Sequence, residues 1–335
     1  MPELRVTLGS LTLANPVLVA AGTFGYGVEF AQSLRLDRLG AVITKTLTRQ
    51  PREGHPPPRL AETPAGLLNA VGLQNVGLEP FLSEKLPALS ACRVPIIVSV
   101  LGETAEDIRW LCGRLDREPA VAAIELNLSC PNLKGHAECG VRSAELPISS
   151  SRIPHPAFRI PRMVAQDPEA TSAMVQAARA VTHKPLIAKL SPDVTDLVPI
   201  AQAAERAGAT ALSIGNTFTG MSLDALTRRS RVGTLTGGLS GPAIRPLAVY
   251  RVWYTARAVE LPIIGIGGIV RAEDAIEFVL AGACAVAVGT ANFADPRAAL
   301  RVLRGLERYL ARHRMSSLDG LRGAVERSET CAAPR

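Results

Sequence analysis

The stretch ELNLSCPN, residues 125–132, alternates polar and apolar side chains as far as Leu128 and then stops. A thiol, Cys130, stands at the stop, with Asn127 before it and Asn132 after it. Free Cys is usually a small core residue, and Asn a turn former. The chemical alternative is a reactive thiol, since a group with a reference pKa of about 8.5 ionises more readily beside cations or N–H donors. Asn amides suit such a site because they offer donors and an acceptor without charge. Other apolar runs also end on reactive or bare positions: Ala21-Gly22, Lys45-Thr46, Ser99, Lys189, Asn216-Thr217, Gly267-Gly268 and Gly289-Thr290. Lys189 lies inside LIAKLS, where an unpaired ammonium is costly. A negatively charged ligand is therefore expected beside it, in preference to a surface ion pair. The glycines of GIGG and VGT read either as tight turns or as N–H groups laid open to a phosphate. A third Gly-rich stretch, LTGGLSGPAIRP (235–246), is expected to add donors to that phosphate.

These residues need elements that bring them together. Eight short apolar runs recur: 15–22, 41–47, 95–102, 122–130, 185–191, 211–217, 262–268 and 285–291. Helical patterns separate them, among them 104–115, 197–208 and 271–282. The first opens on Thr-x-x-Asp, which resembles a capping box, and the other two end on Gly, as helix C-caps do. Strands alternating with helices predict an α/β fold, a (β/α)₈ TIM barrel with its active site at the C-terminal strand ends. The runner-up, a doubly wound open sheet, lacks a GxGxxG after its first strand.

Composition agrees. The 335 residues are 47% apolar and only 4% aromatic, so aliphatic side chains do the packing, as in strands buried on both faces. Net charge is +7 with no long basic run, and nucleic acid is not an expected partner. The six cysteines (Cys92, Cys112, Cys130, Cys139, Cys284 and Cys331) form no CxxC pair, so neither metal nor iron–sulfur is expected within the chain. Cys92, Cys112 and Cys284 read as core, and His55 with its Pro run as a rigid loop. The start MPELRVTLGS has no apolar signal core and no long apolar run follows, so a cytoplasmic protein outside the membrane is expected.

The motifs NPVLVAAGTFGYG (15–27), TKTLTRQPREGHPPPRLAETPAGLLNAVGLQNVG (44–77), ELNLSCPN, AKLSPDVTDLVPIAQAAERAGA (188–209), TGGLSGPAIRP (236–246), PIIGIGGI (262–269) and AVAVGTANFADP (285–296) together resemble the class 1 dihydroorotate dehydrogenases. Within these, the catalytic subunit of the NAD-linked class 1B type is the nearest pattern. The resemblance implies oxidation of dihydroorotate to orotate in pyrimidine synthesis, with one FMN per chain at the barrel mouth. It places Ala21, Lys45, Thr46, Ser99, Asn127, Lys189, Gly215, Gly241, Gly267, Gly268, Gly289 and Thr290 around FMN. Substrate would meet Lys45, Asn69, Ala70, Val71, Gly72, Leu73, Asn127, Asn132, Asn216 and Thr217, with Cys130 as base. Lys189 would stabilise negative charge on the flavin. FAD and a [2Fe–2S] cluster would sit only on a partner subunit, two of which join a homodimer of this chain in a heterotetramer. The alternatives are a fumarate-linked class 1A-like enzyme, a dihydropyrimidine dehydrogenase, a dihydrouridine synthase and a barrel without activity. The dihydrouridine synthase would want a basic RNA-binding surface and a further domain.

The sequence also departs from the pattern. After CPN, a short Gly-rich loop with a Phe-Gly is usual. Here the chain runs through a Ser-, Pro- and Arg-rich stretch, an insertion at about 135–167, expected to be disordered or draped on the surface. Ala21 stands where Ser is common, and Gly215 where a bulkier residue is common. One barrel spanning 1–315 is expected, with 316–335 as a C-terminal tail that is loose after Leu318.

Overall fold

The computed structural model describes residues 3–129 and 163–326. Cys130, Asn132 and most of the expected insertion lie outside them. The strands are β1 (Val6–Leu8), β2 (Leu11–Leu13), β3 (Val17–Val19), β4 (Ala41–Ile43), β5 (Leu60–Thr63), β6 (Gly66–Asn69), β7 (Ile96–Val100), β8 (Val121–Asn127), β9 (Leu186–Leu190), β10 (Ala211–Ile214), β11 (Phe218–Gly220), β12 (Leu223–Asp224), β13 (Arg229–Ser230), β14 (Gly237–Ser240), β15 (Ile263–Ile266) and β16 (Ala285–Val288). The α-helices are α1 (Leu78–Pro80), α2 (Leu86–Ser90), α3 (Ala105–Asp116), α4 (Pro168–Arg179), α5 (Val198–Arg206), α6 (Arg245–Thr255), α7 (Ala272–Ala281), α8 (Ala291–Ala294) and α9 (Ala298–Arg312).

Eight strands close into a parallel barrel in the order β3-β4-β7-β8-β9-β10-β15-β16, with β16 returning to β3. Each falls in one of the eight apolar runs predicted from sequence, β8 starting one residue before its run. The fold is therefore the (β/α)₈ TIM barrel. Side chains alternate between two buried zones. Leu18, Ile43, Ile97, Ala123, Ile187, Ala211, Ile264 and Ala285 fill the barrel interior. Val17, Val42, Val98, Ile124, Leu186 and Leu212 pack outward against the helices. Burying each large aliphatic side chain contributes about 1.5–3 kcal/mol. The β1–β2 hairpin plugs the bottom, with Leu8 and Leu13 fully buried against the interior cluster.

The helix signals also hold. Thr104 accepts from the backbone N–H of Asp107 at 3.1 Å and its own N–H donates to the Asp107 carboxylate, so α3 starts on a true capping box. Helix α7 ends on Gly282, whose φ of 118° is open to Gly but strained for other residues.

Two expectations need correction. The chain after Leu318 is not loose throughout: Asp319–Leu321 form a helical turn, and the N–H of Gly323 donates to the carbonyl of Val279. Cys92 is only half-buried, in the turn after α2, whereas Cys112 and Cys284 are core. Eight further strands escaped the sequence reading. Four form an antiparallel sheet, β11-β14-β6-β5, standing beside the barrel mouth. Among the described residues no helix is long and apolar enough to cross a membrane.

Candidate active site

The C-terminal ends of the barrel strands surround one pocket. Its floor is Lys189 of β9, Asn127 of β8 and Thr46, which follows β4; all three are nearly buried. Lys45 joins them, its backbone N–H pinned to the carbonyl of Gly25 at 2.8 Å. Ala21 and Gly22 face it, and a Cβ at Gly22 would stand 3.7 Å from Lys45 Nζ. Asn69, Val71 and Leu73 form one wall with Asn216 and Thr217. The second sheet builds that wall, for Asn69 Nδ2 donates to the carbonyl of Gly238 at 3.0 Å. Gly241, Gly267, Gly268, Gly289 and Thr290 form the opposite edge. Leu60 and Phe293, about half exposed, stand at the rim.

A chain of hydrogen bonds orders the floor. Asn127 Nδ2 donates to Thr46 Oγ1 at 3.0 Å, Thr46 and Ser99 share a bond at 3.0 Å, and Ser99 Oγ donates to Glu125 Oε1 at 2.9 Å. Asn216 clamps the end of β8: its Nδ2 donates to Ser129 Oγ at 2.7 Å and to the Ser129 carbonyl at 3.0 Å. Asn216 Oδ1 in turn accepts from the N–H of Thr217 at 2.8 Å. The amide expected to grip a ligand thus holds Ser129, the residue before Cys130.

Fifteen of the expected contacts do line this pocket, from Ala21 to Thr290. Four do not. Ser99 lies fully buried beneath the floor. Gly215 is packed by the barrel itself: its φ is 124° and a Cβ would come 2.0 Å from the carbonyl oxygen of Ile266. Ala70 and Gly72 do not line the pocket: the chain leaves β6 after Asn69 and turns at Gly72 and Leu73, with φ of 72° and 59°, so that Val71 and Leu73 face the pocket instead. Cys130 and Asn132 are outside the described residues. The third Gly-rich stretch contributes less than expected. Gly237 and Gly238 are spent in β14, and of the stretch Ser240, Gly241 and Ile244 reach the pocket.

The sequence reading also missed residues. Glu125 is fully buried on the inner face of β8, and its Oε1 lies 3.9 Å from Lys189 Nζ. Part of the charge expected from a ligand thus comes from the chain. The signal was present, since Glu125 shares one face by alternation with Asn127, which was expected in the site.

Two lysines and no carboxylate line the pocket among the described residues, which suits an anionic ligand. At 3.9 Å the Lys189–Glu125 contact is too long for a hydrogen bond. Among the described residues it is the only polar contact of that ammonium, so its donors are left for whatever fills the pocket. On the other edge, a Cβ at Gly268 would meet the carbonyl oxygen of Gly241 at 2.8 Å, so two glycine loops converge with their backbones bare. The floor fits a flat ring carrying negative charge, and the glycine edge fits a phosphate.

The family profile described as Dihydroorotate dehydrogenase matches residues 3–310. A protein of Pelobacter propionicus named Dihydroorotate dehydrogenase B (NAD(+)), catalytic subunit, is 48% identical over 325 residues, covering 97% of this chain and 99% of its own. One of the same name from Desulforudis audaxviator is 49% identical over 323 residues, covering 96% and 97%. A solved structure of DHODH with ferulenol from Eimeria tenella superposes with a TM-score of 0.74 at 24% identity, covering 97% of this chain and 89% of that one, a likeness of fold. With its barrel, its pocket and these relatives, the chain belongs to the dihydroorotate dehydrogenase family.

Proposed function

We propose that this chain is the catalytic subunit of an NAD-linked dihydroorotate dehydrogenase, oxidising dihydroorotate to orotate over FMN held in the barrel mouth. The observation that carries the cofactor is Lys189, a buried ammonium on the pocket floor with no hydrogen-bonded partner among the described residues. FMN, when bound, supplies the acceptor for the hydride that leaves the substrate. Lys189, Lys45, Thr46 and Asn127 hold the ring, and Gly241, Gly267, Gly268, Gly289 and Thr290 offer backbone to the phosphate. The Asn69–Leu73 wall, Asn127, Asn132, Asn216 and Thr217 orient the substrate, and Cys130 takes the one proton that the ring loses along with the hydride. Asn216 serves this by fixing Ser129, which sets where the next residue begins. Ser99 supports the floor from beneath, as the donor between Thr46 and Glu125.

The name that the relatives carry supports a partner subunit and NAD as the final acceptor. FAD and a [2Fe–2S] cluster on that partner, a homodimer of this chain within a heterotetramer, and a cytoplasmic address belong to the same proposal. The free thiols of Cys92, Cys112 and Cys284 suit a reducing compartment. The test is an anaerobic mixture of the FMN-loaded chain with dihydroorotate. The yellow absorbance should bleach with formation of one orotate per flavin. A flavin that binds and stays oxidised would overturn the reaction, and a chain that takes up no FMN would overturn the cofactor.

A further inference from the structure

Glu125 is left without a task by the roles above. It is fully buried on β8, and its register neighbours are Ser99 on β7 and Ile187 on β9. Lys189 is one rung higher, level with Asn127. Ser99 Oγ donates to Oε1 at 2.9 Å, Lys189 Nζ stands 3.9 Å from the same oxygen, and Oε2 has no partner. This interior is otherwise mostly aliphatic, with Ile97, Ile187 and Ile264 in it, and its further hydroxyl, Ser213 Oγ level with Lys189, has no hydrogen-bond partner. Packing alone would favour another such residue, because an apolar side chain of similar volume often serves a core as well as a buried charge, or better. The carboxylate lies below the pocket, while the ammonium lines it. Their separation is too long for a hydrogen bond yet short enough for strong attraction in a poorly screened interior.

We propose that Glu125 is a positioning residue for Lys189. Its buried carboxylate keeps the ammonium aimed at the pocket without consuming its donors, and offsets part of its positive field. The bound FMN is thereby held reduced less strongly than Lys189 alone would hold it, and its electrons remain transferable. This rests on the FMN reading of the pocket.

Glu125→Gln preserves the shape and the acceptor for Ser99 while removing the charge. The reduction potential of the bound FMN, measured by equilibration with a reference dye, should rise. Reduced flavin should gain about tenfold in binding relative to oxidised flavin, about 30 mV for a two-electron couple. In a Lys189→Met background the same Gln substitution should shift the potential little, since the lysine is what Glu125 acts on. Glu125→Asp, which withdraws the charge by one methylene, should give a smaller rise and serves where the Gln variant does not fold. An unchanged or lower potential with only a drop in melting temperature would reduce Glu125 to a structural group. An equal shift in both backgrounds would mean that Glu125 acts without Lys189. Either result overturns the proposal, whereas a wild-type chain that takes up no FMN overturns the cofactor reading instead.

Discussion

Gly289→Ala separates a glycine kept for a ligand from one kept for the fold. A methyl at 289 would stand 3.7 Å from Ala20 Cβ and 3.8 Å from Thr23 Cγ2, both ordinary contacts. Ala20 and Thr23 also line the pocket, so the added group enters it. The empty protein should feel little, within about 0.5 kcal/mol. The ligand should feel more. Pushing a phosphate off one backbone N–H forfeits about 1.5–3 kcal/mol for a charge-assisted bond, or roughly ten- to a hundredfold in Kd. Gly267→Ala is the contrast. Its φ is 138° and its Cβ would lie 2.7 Å from Ala248 Cβ on α6, so the strain, about 1–3 kcal/mol, falls on the fold itself. Two measurements decide: melting temperature of the FMN-free protein, and FMN affinity by quenching of its fluorescence. Gly289→Ala should melt with the wild type and bind FMN weakly. Gly267→Ala should melt a few degrees lower with no FMN present. A Gly289→Ala protein with wild-type FMN affinity would show that the phosphate does not rest on this backbone.

Cys130→Ser should keep FMN and orotate binding but slow flavin reduction about 10²- to 10⁴-fold near neutral pH, with partial recovery as pH rises; a wild-type rate in stopped flow would move the base elsewhere. The purified chain with dihydroorotate should reduce artificial dyes quickly and NAD hardly at all until the partner subunit is added, and brisk fumarate reduction would indicate a class 1A-like enzyme instead. Asp116 accepts from Thr182 Oγ1 at 2.6 Å and from the N–H of His183 at 2.9 Å, and the Thr182 bond, foremost, holds its carboxyl below the usual range. That stabilisation is present above the unfolded value of about 4 and lost as pH falls through the folded one, so the deficit in melting temperature of Asp116→Ala should be clear at pH 7 and close in acid. Burial pushes the Cys112 thiol up to about 12 and Cys284 up to about 11, so alkylation mapped by mass spectrometry at neutral pH should leave both unlabelled while modifying Cys92.

The barrel was legible in the sequence because parallel strands buried on both faces give unbroken apolar runs, and each of the eight runs holds one barrel strand. The sheet beside the mouth was not. Its strands are three or four residues long, and Phe218–Gly220 and Gly237–Ser240 are too Gly-rich to show a strand pattern. Most of the pocket lining could be read from the strand ends. What stayed hidden was how polar groups are shared below it. A period of two says that Glu125 and Asn127 face the same way, but not that this way is inward. Nor does spacing show that Asn216 spends its amide on Ser129, or that Gly215 is fixed by the carbonyl oxygen of Ile266.

Closure of the barrel by β16 against β3 joins Val17 to Val286, so strands from opposite ends of the chain complete it. During synthesis the floor strands β7, β8 and β9 emerge long before the glycine edge after β15 and β16. A growing chain therefore has no finished mouth to offer a ligand, and cofactor loading must follow release of the whole barrel. Until then β3 is an unpaired parallel edge flanked by apolar surface, which invites pairing with other chains. A chain cut short before β16 should accordingly aggregate, because the step that finishes the pocket is the same step that hides its last sticky edge.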